Sequence, residues 1–206
     1  MADAASPLFP AFLKLAGRSV TVVGGGPVAA SKLRALLDAG ASVTVVAPEV
    51  TTGIAASGVD VRRRRFRASD LDGAWLAVAA APPEVNREVA AAAEERRLFV
   101  NAVDDPAHAS LYLGGVVRRG GVTAVISTDG RAPALAGLIR EALEVLLPED
   151  EVRRWLAAAD EERAGWLAQR VPMERRRPLL VRALAVLYGD RTSTEEEGDG
   201  REVDRK

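Results

Sequence analysis

The sequence predicts an α/β protein with a Rossmann-like parallel sheet, followed by a small β segment and a C-terminal helical domain. Through residue 113, β-branched runs alternate with amphipathic helical stretches, the pattern of βαβ units. Two strand-like runs then follow each other directly within 114–127, and acidic and basic residues interleave at helical spacing from 149 onward. These patterns give domains over 1–113, 114–148 and 149–189, and a disordered tail over 190–206, which has no apolar pattern.

The first predicted strand, Ser19–Val23, runs through a glycine turn directly into a helix that stops at Gly40. The turn reads Gly24-Gly25-Gly26-Pro27-Val28-Ala29 and fits the G-x-G-x-x-A fingerprint of dinucleotide-binding folds. The first turn of such a helix directs free N–H groups and a positive dipole end at phosphates. We therefore expect a dinucleotide to bind here. The apolar face of the helix is predicted to comprise Val28, Leu33, Leu36 and Leu37.

A second strand, Ser42–Ala47, leads into Pro48-Glu49, about twenty residues beyond the glycine turn. An acid at this position of a dinucleotide fold accepts a hydrogen bond from the adenosine ribose. The same dipeptide is also typical of a helix start, with proline in the first turn and glutamate near the positive dipole end. The two interpretations are compatible, and the sequence leaves both open.

A short strand over Val59–Val61 is followed by five arginines within residues 62–67. Such a run is typical of a solvated edge. Because the chain as a whole is nearly neutral, the run could also form part of a patch that attracts a polyanionic ligand.

Two aspartates follow the fifth predicted strand. The fourth strand, over 75–80, and a helix, over 83–97, precede that strand, which ends in Asn101-Ala102-Val103-Asp104-Asp105-Pro106. Ligands of open α/β sheets bind outside the carboxyl ends of the strands, so Asp104 is expected to face the reactive ring of the cofactor. Asp105 better suits the role of a cap for the turn at Pro106. His108 is the sole histidine, which argues against a multi-histidine metal site, and it is interpreted as an ordinary loop residue.

The strands over 114–127 are joined at Arg119-Gly120-Gly121, which is a hairpin signal, and they lie outside the main sheet. A helix is predicted over 134–147, and two charged amphipathic helices follow over 149–170 and 173–187, separated at Pro172. The apolar stripe of the helix over 134–147 is predicted to comprise Leu135, Leu138, Ile139, Leu143 and Leu146. The edges of the hairpin strands are expected to need partners.

Composition narrows the class of protein. The 206 residues carry 28 Lys and Arg against 29 Asp and Glu, so the overall charge indicates neither nucleic acid nor a membrane surface as a partner. The absence of cysteine excludes disulfides, thiolate metal sites and cysteine nucleophiles. Residues 1–7 lack the pattern of a signal peptide, and no apolar run reaches the length of a membrane span. We expect a soluble, cytoplasmic protein without a metal site.

A series of short motifs resembles one family, the N-terminal module of siroheme synthase, over about residues 7–187. The motifs are Pro7-Leu8-Phe9, Leu15-x-Gly17-Arg18, Val22-Val23-Gly24-Gly25-Gly26-x-Val28-Ala29-x-x-Lys32, Ala39-Gly40-Ala41, Val45-Val46-Ala47-Pro48, Ala79-Ala80-Ala81 with Asn86, Asn101-Ala102-Val103-Asp104, Arg119-Gly120 and Ile126-Ser127-Thr128-x-Gly130. Their combination in this order is far more specific than the glycine turn alone. The chain resembles a stand-alone version of the module, without the methyltransferase domain that follows it in some relatives.

The resemblance implies an NAD-dependent precorrin-2 dehydrogenase that forms sirohydrochlorin, and in some members also a ferrochelatase that inserts Fe²⁺. It further implies a homodimer, an active-site aspartate at Asp104, and NAD contacts from the glycine turn. The cofactor residues are then Gly24, Gly25, Gly26, Pro27, Val28, Pro48 and Glu49. The substrate carries eight carboxylates, which arginine recognises through charge-assisted pairs. The substrate-binding candidates are Ser127, Thr128, Arg118, Arg119 and Arg131.

The sequence departs from the family pattern at three positions. Gly114 stands where many members have proline, and Asp129 stands where glycine or asparagine is frequent. Ala132 stands where many members have serine. These positions belong to the tetrapyrrole side, so ferrochelatase activity stays open. Two other functions also stay open. A non-catalytic NAD-sensing module would not account for Asp104 or the helical region, and a chelatase alone would leave the cofactor fingerprint without a purpose.

Overall fold

The computed structural model describes residues 8–196, and their side chains up to residue 185. The strands are β1 (Ser19–Val23), β2 (Ser42–Val46), β3 (Asp60–Arg62), β4 (Leu76–Ala79), β5 (Phe99–Ala102), β6 (Gly115–Arg119) and β7 (Val122–Ile126). The α-helices are α1 (Pro27–Asp38), α2 (Thr52–Ala55), α3 (Pro83–Glu95), α4 (Pro133–Leu146), α5 (Glu149–Ala168) and α6 (Met173–Glu196). Short 3-10 helices cover Ala68–Leu71 and Pro106–His108.

The first five strands form a parallel sheet in the order β3-β2-β1-β4-β5, which confirms the predicted Rossmann-like fold. At its centre, Val22 of β1 pairs with Val45 of β2 on one side and Val78 of β4 on the other. These side chains are fully buried, because helices cover both faces of the sheet. The carboxyl ends of parallel strands lie along one edge, so the loops after β1, β2, β4 and β5 meet there.

The apolar face of α1 includes the predicted Leu33 and Leu36 but not Val28 or Leu37. The buried positions are Ala29, Leu33 and Leu36, which recur at the spacing of one helix face. Val28 is 47% exposed because it lies one position away from this stripe, and Leu37 at the other end of the helix is partly exposed. Val28 is therefore available for a role outside the core.

Part of the arginine run is committed to an internal ion-pair network. Asp70 is buried and accepts hydrogen bonds from Arg64 at 2.7 and 2.5 Å and from Arg62 at 3.1 Å. The backbone N–H of Arg67 donates to the same carboxylate at 2.9 Å. The other arginine side chains of the run are exposed, as the solvated-edge interpretation requires, and the polyanion patch stays a prediction.

The hydrogen bonds from Arg64, and after them those from the Arg67 N–H and Arg62, lower the pKa of Asp70 from 3.8 to about 2. A carboxyl whose pKa is lower in the folded state stabilises the fold above its unfolded pKa, and that contribution is lost as the pH falls from 3.8 through 2. We expect the ionised Asp70 carboxylate to contribute about 2 kcal/mol to the free energy of unfolding. Acid unfolding followed by circular dichroism should become less pH-dependent in this window in Asp70→Asn. Asp60→Asn, at an exposed partner of Arg62, is the control. The same pH dependence in both variants would contradict this assignment.

β6 and β7 form the predicted antiparallel hairpin, with Val117 opposite Ala124. A Cβ built on Gly114 would collide with the carbonyl oxygen of Ile126. The backbone of β7 therefore accounts for glycine at a position where the family resemblance leads one to expect proline.

The apolar stripe of α4 is largely uncovered within residues 8–185. Ala136 is buried against the hairpin side of the helix. In contrast, Leu135, Leu138 and Leu146 are 50–69% exposed. The helical periodicity was interpreted correctly as amphipathic, but the leucines do not form a core with the described part of this chain.

The chain divides into two compact units, and the boundaries differ partly from the predicted ones. The first unit ends at Leu113 but also includes Ser127–Ala132, while the second comprises Gly114–Ile126 and the chain from Pro133 onward. A boundary at residue 149 stays a prediction. Helix α6 continues to Glu196, into the predicted disordered tail, because residues 190–196 contain no proline or glycine to end it. The rest of that tail, 197–206, lies outside the described residues, as does Pro7.

Candidate functional site

The glycine turn after β1 is fixed by close contact with two neighbouring loops. Gly24 has φ +127°, and a Cβ there would collide with the carbonyl oxygen of Ala80 after β4. A Cβ on Gly25 would collide with the carbonyl oxygen of Glu49 after β2. The first two glycines of the turn are therefore required by the packing of the protein itself.

Gly26 is different, because a Cβ built on it would meet nothing within 4 Å. Gly26 is the N-cap residue of α1, no side chain caps this helix, and Pro27 occupies the first turn. The free N–H groups of the first turn therefore face open space, the arrangement that binds phosphate at a helix N-terminus. The residues present fit the pyrophosphate of a dinucleotide.

The loop after β2 lies beside this turn. The N–H of Thr51 donates to the carbonyl oxygen of Gly25 at 2.9 Å, which fastens the loop to the glycine turn. Pro48 and Glu49 are exposed, and α2 begins only at Thr52. The alternative that Pro48-Glu49 starts the next helix is therefore wrong, whereas the position of Glu49 fits a ribose contact.

A cavity of about 240 Å³ lies at the carboxyl edge of the sheet. It is lined by Val28, Ala80, Ala81, Pro83, Asn86, Val103, Asp104 and Asp105. The cavity thus brings together two residues that are far apart in the sequence, Val28 after the glycine turn and Asp104 after β5. This placement explains why Val28 is absent from the core.

Asn86 holds the cavity wall together. Its side chain is buried, its Oδ1 accepts a hydrogen bond from the Ala81 N–H at 2.9 Å, and its Nδ2 donates to the Val103 carbonyl at 3.3 Å. The loops after β4 and β5 are therefore joined through one amide. The sequence indicated Asn86 only as part of a motif, since its two partners lie 5 and 17 residues away.

Asp104 sits in a strained backbone position. Its φ is +58°, in the left-handed region that aspartate tolerates better than most residues. Its side chain is exposed and makes no hydrogen bond or ion pair with any residue the structure describes. The backbone thus presents an uncommitted carboxylate at the cavity, and strain of this kind is common at functional sites.

The segment Ser127–Arg131 lies next to the loop that follows β5. A Cβ on Gly130 would lie 3.5 Å from Pro106 and 3.7 Å from Tyr112. The hydroxyls of Ser127 and Thr128 accept hydrogen bonds from the backbone N–H groups of Asp129 and Ala132, so both shape this turn. Asp129 has φ +52°, which fits a position where the family has glycine or asparagine. The guanidinium of Arg131 is exposed and makes no ion pair within the described residues.

The other two predicted substrate arginines belong to the second unit. Arg119 forms an ion pair with Glu144 at 3.5 Å, and Glu144 is shared with Arg140 at 2.6 Å. The charge of Arg119 is therefore largely balanced within the chain. Arg118 points to the opposite face of the hairpin and is exposed.

Within residues 8–185, no group of three or more His, Asp or Glu side chains is arranged to hold a metal ion. Among the helices that the structure describes, none has both the length and the apolar content that a bilayer span requires.

The chain is similar to known NAD(P)-binding proteins. Residues 11–115 match the family model described as "Putative NAD(P)-binding". The chain is 44% identical over 145 residues to "Siroheme synthase 3" of Aeromonas hydrophila, and 44% identical over 144 residues to "Siroheme synthase" of Pseudomonas entomophila. Each alignment covers 68% of this chain and 31% of the relative, so the chain spans about a third of the length of these curated relatives.

Among solved structures, the chain is similar to "SirC, precorrin-2 dehydrogenase". The TM-score is 0.63 at 28% sequence identity, and the match covers 85% of this chain and 88% of that one. The similarity therefore extends beyond the sheet to the hairpin and the helices that follow it. The chain belongs to the NAD(P)-binding family that forms the N-terminal module of siroheme synthases.

Proposed function

We propose that this protein is an NAD-dependent dehydrogenase that oxidises precorrin-2 to sirohydrochlorin. One observation carries the proposal. The cavity at the carboxyl edge of the sheet joins Val28, on the helix that follows the phosphate-binding turn, to the uncommitted carboxylate of Asp104. A cofactor held by the turn and the proton acceptor Asp104 would therefore face the same cavity.

Each group at the edge has a separate role in this proposal. When bound, NAD⁺ supplies a hydride acceptor. Gly26 and the first turn of α1 hold the pyrophosphate, and Glu49 accepts a hydrogen bond from the adenosine ribose. Asp104 removes the proton that the substrate loses alongside the hydride. Asn86 keeps the loops of Ala81 and Val103 in place around the cavity.

The carboxylates of the tetrapyrrole need cationic partners, and the two exposed arginines among the candidates are the better suited. Arg118 and Arg131 carry charges that no described acidic residue balances, whereas Arg119 is paired with Glu144. We therefore assign a substrate contact to Arg131, in the same unit as the cavity, before Arg119, and a contact from Arg118 stays a prediction. Ser127 and Thr128 act through the shape of the turn that carries Arg131.

An anaerobic assay with precorrin-2 tests the function. Four reactions contain neither, either or both of NAD⁺ and Fe²⁺. Formation of sirohydrochlorin that depends on NAD⁺ and does not need Fe²⁺ supports the dehydrogenase. Binding of NAD⁺ without turnover would favour a sensor, and iron insertion into supplied sirohydrochlorin by a protein that does not oxidise precorrin-2 would favour a chelatase. Siroheme formation with both additions would establish ferrochelatase activity as a second step. Absence of cysteine is compatible with the cytoplasm, where we place the reaction.

Cofactor preference is expected to follow from Glu49. Its carboxylate can accept from a ribose 2′-OH but repels a 2′-phosphate, so kcat/KM should be higher with NAD⁺ than with NADP⁺. Glu49→Gln should reduce the preference, because the neutral amide no longer repels phosphate. Steady-state kinetics with both cofactors measure the ratio. Equal or better turnover of the parental protein with NADP⁺ would contradict the role of Glu49.

We also propose a homodimer, formed through the uncovered apolar surface of the second unit. Leu135 and Leu138 of α4 are 50% and 64% exposed, and Val122 and Val125 of β7 are 40% and 49% exposed. Exposed apolar side chains on a helix and on an edge strand favour association.

The dimer predicts a twofold mass in light scattering at micromolar concentration. Leu138→Glu should shift the protein to the monomer, because it would bury a charge at the interface. Glu141→Gln, at an exposed position of the same helix, is the control. A monomeric parental protein would contradict the proposal.

A further inference from the structure

A second cavity, of about 470 Å³, lies along α1 beside the glycine turn. The residues that line it are Pro27, Ala30, Ser31 and Arg34 of α1 and Thr51 of the loop after β2. The four α1 residues have the spacing i, i+3, i+4 and i+7, so they share one face of the helix. The cavity is therefore bounded by the two elements to which the pyrophosphate and the adenosine ribose are assigned above.

Arg34 brings a positive charge to this cavity. Its side chain is exposed and forms no hydrogen bond or ion pair with any residue that the structure describes. Side chains of an α-helix lean toward its N-terminus, so the Arg34 side chain extends along the helix toward Ser31 and Pro27. A guanidinium without an acidic partner is thus directed toward the end of α1 that is expected to hold phosphate.

Thr51 contributes a hydroxyl that the rest of the described chain does not use. Its Oγ1 is buried and has no hydrogen-bond partner there, although Thr51 is the N-cap residue of α2. Buried polar atoms without a partner are rare, because they lose their hydrogen bonds to water. The Thr51 N–H is held by the Gly25 carbonyl at 2.9 Å, so rotation about the Cα–Cβ bond is the motion that turns the hydroxyl toward a ligand in the cavity.

The position of the cavity relative to Glu49 indicates the class of ligand. Glu49 lies two residues before Thr51, and its carboxylate is expected to accept a hydrogen bond from the ribose 2′-OH. A phosphate group on that 2′ oxygen adds negative charge and acceptor oxygens, which a guanidinium and hydroxyl groups complement. The polar side chains that line the cavity are a guanidinium and two hydroxyls, all of which can donate hydrogen bonds.

We propose that Arg34, Ser31 and Thr51 form a subsite for the 2′-phosphate of NADP⁺, next to the ribose contact of Glu49. This inference rests on the proposed function, from which it takes the dinucleotide site. Because Glu49 repels the 2′-phosphate and Arg34 attracts it, the protein uses NADP⁺ at a measurable rate, but less well than NAD⁺. The subsite takes no part in hydride or proton transfer.

Calorimetry with adenosine 2′,5′-bisphosphate and with adenosine 5′-monophosphate tests the subsite without turnover. We expect Arg34→Ala to weaken binding of the bisphosphate about tenfold and binding of the monophosphate by less than about twofold. Arg87→Ala, at an exposed position of α3 outside this cavity, removes the same charge and should weaken neither. Equal losses with the two nucleotides, or no loss in Arg34→Ala, would overturn the subsite.

Thr51→Val removes the hydroxyl and keeps the shape of the side chain. Since Oγ1 has no partner in the free protein, the melting temperature should not fall, whereas the bisphosphate should bind about threefold more weakly. A lower melting temperature with unchanged affinity for the bisphosphate would overturn the role of Thr51, because the hydroxyl would then serve the fold.

Glu49→Gln distinguishes a direct contact of Arg34 from a balance of charges. In this background Arg34→Ala should still weaken binding of the bisphosphate about tenfold. Loss of the effect would overturn the contact, because Arg34 would then only offset the carboxylate. Inorganic phosphate that binds as tightly as the bisphosphate and competes with it would reveal a site for free anions and would overturn the link to the ribose.

Steady-state kinetics with precorrin-2 provide the last test. The ratio of kcat/KM for NADP⁺ to that for NAD⁺ should fall about tenfold in Arg34→Ala, and an unchanged ratio would overturn the subsite. A parental protein that binds the bisphosphate through Arg34 but does not oxidise precorrin-2 would support the subsite and overturn the proposed function alone.

Discussion

Replacing Asp104 by asparagine is expected to lower the rate of precorrin-2 oxidation by roughly two to four orders of magnitude, the range for loss of a general base. Asparagine has nearly the same size and tolerates the left-handed backbone at φ +58°, but it does not accept a proton at neutral pH. The affinity for NAD⁺, measured by calorimetry, should stay close to the parental value, since the glycine turn is untouched.

Asp129→Asn provides a matched control for this experiment. Asp129 is also exposed, has φ +52° and belongs to the same compact unit as Asp104. We expect the control to turn over at nearly the parental rate. Parental turnover in Asp104→Asn would show that Asp104 is not a base and that hydride transfer depends on positioning alone. If Asp105→Asn were the inactive variant instead, the family correspondence at this loop would be displaced by one residue.

Gly26→Ala is expected to weaken NAD⁺ binding by roughly 100-fold, about 2.8 kcal/mol, while the free protein stays as stable as the parent. The new methyl group meets no protein atom, and the φ of −81° suits alanine, so the folded protein has no reason to change. The methyl group would instead occupy the space where the backbone approaches the pyrophosphate. Calorimetric titration with NAD⁺ and thermal unfolding measure the two quantities separately.

Gly25→Ala and Gly53→Ala are the comparison variants for Gly26→Ala. Gly25→Ala should lower the melting temperature, because its Cβ collides with the carbonyl of Glu49. Gly53→Ala should change neither stability nor binding by much, since Gly53 has open space around it and lies in α2. Undiminished NAD⁺ affinity in Gly26→Ala would mean that the dinucleotide does not use this turn.

Local patterns were sufficient to predict the sheet and the glycine turn at its carboxyl edge. The β-branched run before Gly24 forms the buried strand that its pattern predicts, and the glycine spacing located the turn that we propose binds phosphate. Asp104 could be predicted because the carboxyl end of a parallel strand always lies at the ligand edge. Its left-handed backbone could not, since aspartate is also common in ordinary turns.

The errors have a common physical origin. Whether an apolar face is covered depends on partners distant in sequence or outside the chain, so the leucines of α4 were predicted as a stripe without any indication that they are exposed. The role of a polar side chain depends on which of several nearby partners it chooses. The Asp105 carboxylate contacts the ring of His108 and does not cap the turn at Pro106. Asp70 accepts hydrogen bonds from arginines whose sequence pattern predicts a solvated edge.

The central claim is that the phosphate-binding turn and Asp104 serve one dinucleotide. A crystal structure of the protein with NAD⁺ tests it most directly. We predict the pyrophosphate against Gly26 and the first turn of α1, the adenosine ribose beside Glu49, and the nicotinamide ring in the cavity shared by Val28 and Asp104. A dinucleotide whose nicotinamide lies outside that cavity, or one bound away from the glycine turn, would contradict the account.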